Sequence, residues 1–229
     1  MRRFLLLPLL FLFLLGMVPL GSAAWAASKA HVLSFGKWTA VKFSADADDG
    51  NTVELKMRPL YLDARLKEFT LGPPHEITDR LFVVRRAFRL NDTLPQETAT
   101  APRWLWQRGG WLLVDRMTGH ISAIALPEFD AADSAASWYR DYAAYCGVSD
   151  DGKKTFAIVA QLGRRKPILK QSLNEARTED EPACAAPTWQ RQPMRVAFTP
   201  GDGKAFSYSI RGHAVDLVTE DAEQEEGAQ

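Results

Sequence analysis

The sequence is poor in the residues that most often mark a chemistry. It has two cysteines and four histidines in 229 residues. His31, His75, His120 and His213 stand far apart, and none lies at metal-ligand spacing from another His or Cys. There is no Gly-x-Ser-x-Gly elbow, so no hydrolase nucleophile is marked locally. A Ser–His–Asp site assembled in space stays open, because triads are spatial. Charge of one sign is not in excess: 28 Lys and Arg balance 28 Asp and Glu. That gives no electrostatic case for nucleic acid. Beyond Leu20 no apolar run is long enough to span a bilayer as a helix. No strict period recurs, so the chain is not a regular repeat array. Nothing in the pattern implies a metal or another cofactor.

What is present begins with an address. Met1-Arg2-Arg3 precedes an apolar run from Phe4 to Leu20, and Ala24-Trp25-Ala26 follows. A charged start, an apolar centre and an Ala-x-Ala site predict a secretory signal over residues 1–26, cut after Ala26. The run is short for a span and contains Pro8 and Pro19. Membrane contact is therefore expected only through an uncleaved signal. The expected location is periplasmic or secreted, in a bacterial cell. From Asp216 onward there are six acidic residues and no basic ones. Residues 220–229 therefore read as a disordered acidic tail. Residues 27–219 read as a single β-rich domain, with a soft boundary near 91–102 where Thr, Pro and Ala accumulate. In an exported protein two remaining cysteines favour a Cys146–Cys184 disulfide. Two buried thiols or a catalytic cysteine are the alternatives.

The organising stretch runs from Trp104 to Leu162. Trp104–Arg108 and Trp111–Arg116 are apolar runs joined by Gly109-Gly110, which predicts a hairpin with φ > 0 at both turn positions. Met117-Thr118-Gly119 turns into a strand from His120 to Leu126. That strand is apolar on both faces and is expected to be central. Asp115-Arg116-Met117-Thr118-Gly119 is similar to the Asp-x-x-Thr-Gly turns between strands of quinoprotein-type propeller blades. A propeller repeats that turn blade after blade, whereas this chain has it once, so it reads as turn chemistry. Asp130 and Asp133 can cap a helix over about 131–146. Ala135, Trp138, Tyr142, Tyr145 and Cys146 lie at three- and four-residue spacing, and Gly147 suits the helix stop. Phe156, Ile158, Ala160 and Leu162 alternate as a strand.

Around this centre the chain reads as short strands and polar turns. Val53, Leu55 and Met57 alternate with charged residues, Pro59 suggests an edge or bulge, and Asp63-Ala64 turns the chain. Gly72-Pro73-Pro74 is expected to break the next strand. Asp46–Asn51 reads as a polar turn: for a calcium loop the Gly falls one place early, and Met57 stands where Glu belongs. The expected fold is mainly β, an antiparallel sandwich or open barrel of about eleven short strands with one packed helix.

Two features carry the functional expectation. Trp138-Tyr139-Arg140-Asp141-Tyr142 sets an Arg and an Asp among aromatics, which can hold a ligand or partner by stacking and paired hydrogen bonds. Core packing with structural ion pairs is the competing account. Arg86 falls among Phe82, Val84, Phe88 and Leu90, so it calls for a carboxylate partner, Asp141 or Asp115, in a buried pair or polar pocket. The leading expectation is an exported, periplasmic, non-enzymatic binding or interaction protein with an envelope protein partner. A small-ligand binding protein using the Arg–Asp–aromatic group is one alternative, and a hydrolase with a spatially assembled site is another.

Overall fold

The computed structural model describes residues 31–44, 52–91, 104–173, 184–200, 205–211 and 214–218. The expected signal, the acidic tail, the Asp46–Asn51 turn, His213 and nearly all of 91–102 lie outside them. The fold is mainly β, as the alternation predicts, with several antiparallel sheets packed together. The described residues form fifteen strands and no helix.

Seven strands make the first sheet: β1 Leu33–Phe35, β2 Thr39–Ser44, β3 Thr52–Leu62, β4 Arg65–Glu76, β5 Leu81–Asn91, β6 Trp104–Asp115 and β7 Ile121–Ile124. β2, β3, β4, β5 and β6 pair antiparallel in sequence. β6 then returns beside β2 in parallel through Phe43 and Trp106, which closes a small barrel. Alternate side chains fill it. Leu60, Phe82, Val84 and Val114 are fully buried at one end. Phe43, Met57, Leu71 and Ala87 fill the other. Each fully buried large apolar side chain stabilises the fold by about 1.5–3 kcal/mol. Asp63 and Ala64 make the β3–β4 turn with φ of 51° and 62°, as a tight hairpin requires.

Gly109-Gly110 is not a hairpin turn. β6 runs straight through it, and the two glycines together oppose the single residue Arg86 on β5. The pair is a bulge, and it inverts the inward parity of β5. Phe82 and Val84 point into the barrel before it and Ala87 after it. Arg86 is thereby expelled to the surface. Gly72-Pro73-Pro74 likewise does not end β4; the register shifts between Leu71 and His75 and the strand continues. The Met117–Gly119 turn forms as its chemistry predicts. Asp115 Oδ1 accepts from the Met117 and Thr118 amides at 2.9 and 3.3 Å, and Gly119 takes a φ of 65°. The strand after it is short and, among the described residues, lies at an edge: there β7 pairs with β6 alone.

The remaining strands make two four-stranded antiparallel sheets. One holds β8 Ser137–Tyr139, β9 Tyr142–Val148, β10 Thr155–Gln161 and β11 Leu169–Leu173. The other holds β12 Thr188–Gln190, β13 Arg195–Phe198, β14 Phe206–Arg211 and β15 Ala214–Val218. They pack face to face as a sandwich, Ala144, Cys146 and Val159 meeting Val196, Phe198 and Ile210. The Cys146–Cys184 disulfide pins β9 to the chain entering β12, with a Cα–Cα distance of 5.9 Å. The opposite face of β9 and β10 is also buried. Ala143, Tyr145, Ile158 and Ala160 lie under Leu126, Phe129 and Trp138.

The helix predicted over 131–146 is absent. Asp130 does cap, accepting from the Ala132 and Asp133 amides at 2.7 and 3.2 Å, and Ser134 N–H closes one turn on Asp130 O. The turn stops there because its carbonyls go elsewhere. Arg85 takes those of Ala131 and Ser134, and Arg108 takes that of Ala132. Residues 137–148 are then a hairpin. The helical spacing misleads because both faces of β9 are buried, which hides the period of two. Gly147 is no helix stop. A Cβ there would sit 2.8 Å from the Glu128 carbonyl, whose chain crosses β9 at that point.

Candidate functional site

The residues from Trp138 to Tyr142 form the β8–β9 hairpin, with Arg140-Asp141 as its two-residue loop. Arg140 has a φ of 53°, the left-handed value such loops use at their first position. The pleat sends the aromatics to opposite faces. Tyr139 and Tyr142 lie against Trp189 of the second sandwich sheet, with ring centroids 5.7 and 6.5 Å apart. Trp189 Nε1 donates to Ser137 O at 3.1 Å. Trp138 faces the barrel. It meets Trp111 edge-on at 5.4 Å and stacks with His75 at 6.2 Å. His75 Nε2 donates to the Arg140 carbonyl at 2.9 Å.

Arg140 and Asp141 do not pair with Arg86. The Arg140 guanidinium lies over Tyr139 at 5.4 Å. Asp141 Oδ2 accepts from Gln161 Nε2 at 2.9 Å, and its carbonyl accepts the Leu162 amide at 2.8 Å. Arg86 is exposed on the barrel and pairs with Glu68 at 2.9 Å. Asp115 is held by Arg80, whose Nε donates to it at 2.9 Å. Five of the six predicted residues thus share one hairpin, and the sixth stands apart because of the bulge.

The more buried of the two arginines is its neighbour, the half-buried Arg85. Its Nε donates to Gly109 O at 3.3 Å, and its Nη2 donates to Ala131 O at 2.7 Å and Ser134 O at 3.2 Å. Burial, with Arg108 nearby, pushes its pKa down to about 10. It therefore stays charged at neutral pH and is satisfied by carbonyl dipoles. An Arg-Arg pair in a strand was the one visible signal. Which arginine is the more buried depended on a bulge that reads as a turn.

Trp138 also lines a cleft of about 450 Å³ between β7 and the end of β10. One wall is Ser122 to Pro127 with Leu113; the other is Ala160 to Arg165. The lining is mostly apolar, with Arg164 and Arg165 at one end of the β10 wall. Two polar atoms of its lining residues are buried without a partner among the described residues, the donor Trp138 Nε1 and the acceptor Gln161 Oε1. Trp111 Nε1, behind Trp138, is a third. A buried polar atom left unbonded costs about 1–3 kcal/mol, so these atoms mark a cost in the packing beside the cleft. The sequence shows Trp138 as a candidate, whereas Gln161, Trp111 and His75 join it only through the packing of the sandwich on the barrel.

A second hollow of about 510 Å³ on the barrel is lined by Trp38, Ala40, Lys56 and Gly72. Arg58 lies beside it, with its guanidinium 3.8 Å over Phe35 and 4.4 Å over Trp38. Among the described residues no group of three or more His, Cys, Asp or Glu could hold a metal ion, and no helix is long and apolar enough to cross a membrane. Both cysteines are in the disulfide. No protein-family model matches the chain, and no curated protein matches it significantly.

Proposed function

We propose that this chain is an exported, non-enzymatic binding protein of the bacterial periplasm or envelope, and that it holds an envelope protein partner in the cleft beside Trp138. One observation carries the reading. A mostly apolar cleft of about 450 Å³ runs between β7 and the end of β10, with Trp138 and Gln161 in its lining and Arg164 and Arg165 at one end. Its volume lies in the range of ordinary ligand sites. The Cys146–Cys184 disulfide supports an oxidising compartment, as does the apolar leader with its Ala-x-Ala end.

The test is a crosslinking pull-down from the native envelope fraction, read by mass spectrometry, with Trp138→Ala and Gln161→Ala variants beside the parent. A stoichiometric partner lost in both variants is the expected result. A partner retained by both would move the binding surface elsewhere, and recovery of the chain from the cytosol with its leader intact would end the export reading.

A small-ligand reading is favoured by the same cleft and differs in the occupant. Equilibrium dialysis against envelope extracts, followed by mass spectrometry of what the protein retains, separates the two.

A further inference from the structure

β3 carries its charges outward. Met57 points into the barrel, so its neighbours Lys56 and Arg58 stand on the outer face. On that face Lys56 has small neighbours. Ala40 of β2 lies directly opposite it. On β4, Leu71 pairs with Met57, and the residue after it is Gly72, where an added Cβ would meet nothing within 4 Å. The missing side chains leave the hollow of about 510 Å³, with Trp38 as a further wall and Lys56 in its lining. Trp38 is 45% exposed, yet its ring is held. The Arg58 guanidinium lies 4.4 Å from the Trp38 ring centroid and 3.8 Å from that of Phe35. A cation shared by two rings fixes their placement. Among the described residues neither Lys56 nor Arg58 pairs with a carboxylate. Glu68 is held by Arg86, and Glu54 lies opposite Lys42. Two cations, one fixed aromatic face and an open hollow thus meet without a counter-charge.

We propose that this hollow binds a small anion carried on a flat ring, a sugar acid or an aromatic acid, with the ring against Trp38 and the anionic group on the Lys56 ammonium. The inference goes beyond the cleft reading and uses none of the cleft residues. A flat ring stacks on an exposed indole, and an ammonium holds an anionic oxygen as a point charge. Arg58, half-buried, adds positive charge beside the indole and keeps the ring in place. The volume is that of an ordinary small-molecule site. An anion without a ring leaves the indole uncovered, and a neutral ring leaves Lys56 unpaired, so each of these binds more weakly than the two together.

The experiment uses the disulfide-bonded mature protein, labelled for the NMR signals of its indole N–H groups. Trp38→Phe identifies the Trp38 signal by its loss. The probes are glucuronate as a sugar acid, benzoate and phenyl phosphate as aromatic acids, methyl glucoside and benzyl alcohol as neutral rings, and acetate and inorganic phosphate as anions without a ring. The ringed anions of one arm or of both are expected to shift the signal saturably, and the tighter arm names the source. Neutral rings and ringless anions should bind about tenfold more weakly or not at all. Lys56→Gln, an exposed change, should bring the ringed anions down to the level of the neutral rings. Ala40→Leu, also exposed, should fill the hollow and block the ring while Lys56 keeps its charge. Inorganic phosphate binding as tightly as phenyl phosphate overturns the inference, because charge alone then suffices. So do a Lys56→Gln or an Ala40→Leu variant that binds like the parent, and a Trp38 signal that no probe moves. None of these outcomes bears on the cleft beside Trp138, which the pull-down reads separately.

Discussion

Gly109 lies so close to Arg86 across the β5–β6 pair that an added Cβ would sit 3.0 Å from the Arg86 Cβ and 3.2 Å from its carbonyl oxygen. The neighbouring Gly110 has nothing within 4 Å of the same added atom. The two glycines of the bulge are therefore not equivalent. Gly109→Ala should destabilise the protein by about 1–3 kcal/mol, the usual cost of forcing atoms into a packed site. Gly110→Ala should stay within about 0.5 kcal/mol of the parent. Urea unfolding of the two variants checks this, and equal losses would refute the bulge.

The same bulge separates two adjacent arginines by role. Arg85→Met leaves carbonyls of Gly109, Ala131 and Ser134 without their donor, so a loss of about 1–3 kcal/mol is expected. Arg86→Met removes one exposed ion pair with Glu68, and about 0–1 kcal/mol is expected. Thermal unfolding of both decides the matter. A larger loss at Arg86 would mean that the parity of β5 is not inverted.

The disulfide ties positions 38 residues apart in sequence. Closing a loop of that length limits the unfolded chain and should stabilise the fold by about 3–4 kcal/mol. The Cys146→Ala/Cys184→Ala variant should lose that much in urea, with the loss appearing in the sandwich strands by hydrogen exchange. Unchanged stability would show that the packing of Val196 and Phe198 on β9 suffices.

Asp115 gives a pH signature. The hydrogen bond from Arg80, then those from the Met117 amide and from Thr118, holds its carboxyl well below the ordinary 3.8. The folded value is depressed, so its contribution is present above the unfolded value and is lost as pH falls through the folded one. Asp115→Asn should lower Tm at neutral pH, and the gap to the parent should narrow between about pH 5 and pH 2. A gap that is constant over that range would sever Asp115 from the turn and from Arg80.

How far the sequence goes can be seen strand by strand. Val53, Leu55 and Met57 alternate with charges, and that strand forms as read because one face of β3 meets solvent. Asp63-Ala64 and Asp115–Gly119 are turns as read, because their chemistry is local: left-handed backbone and side-chain caps. β9 is the opposite case. Its two buried faces leave no period of two, and aromatics at three- and four-residue spacing imitate a helix.

The sequence by itself determined the β-rich class, the pairing partners available to Cys146 and Cys184, and the turns whose residues carry their own backbone preference. Tertiary structure alone decided the rest. A glycine pair can be a turn or a bulge with the same φ freedom, and only the strand beside it chooses. That choice left Arg85 half-buried, exposed Arg86, and spent the carbonyls that a helix at 131 needs. The cleft was decided last, because it belongs to no segment. It exists where an edge strand of the barrel meets the end of a sandwich strand, and contact between residues so distant in sequence is fixed by packing.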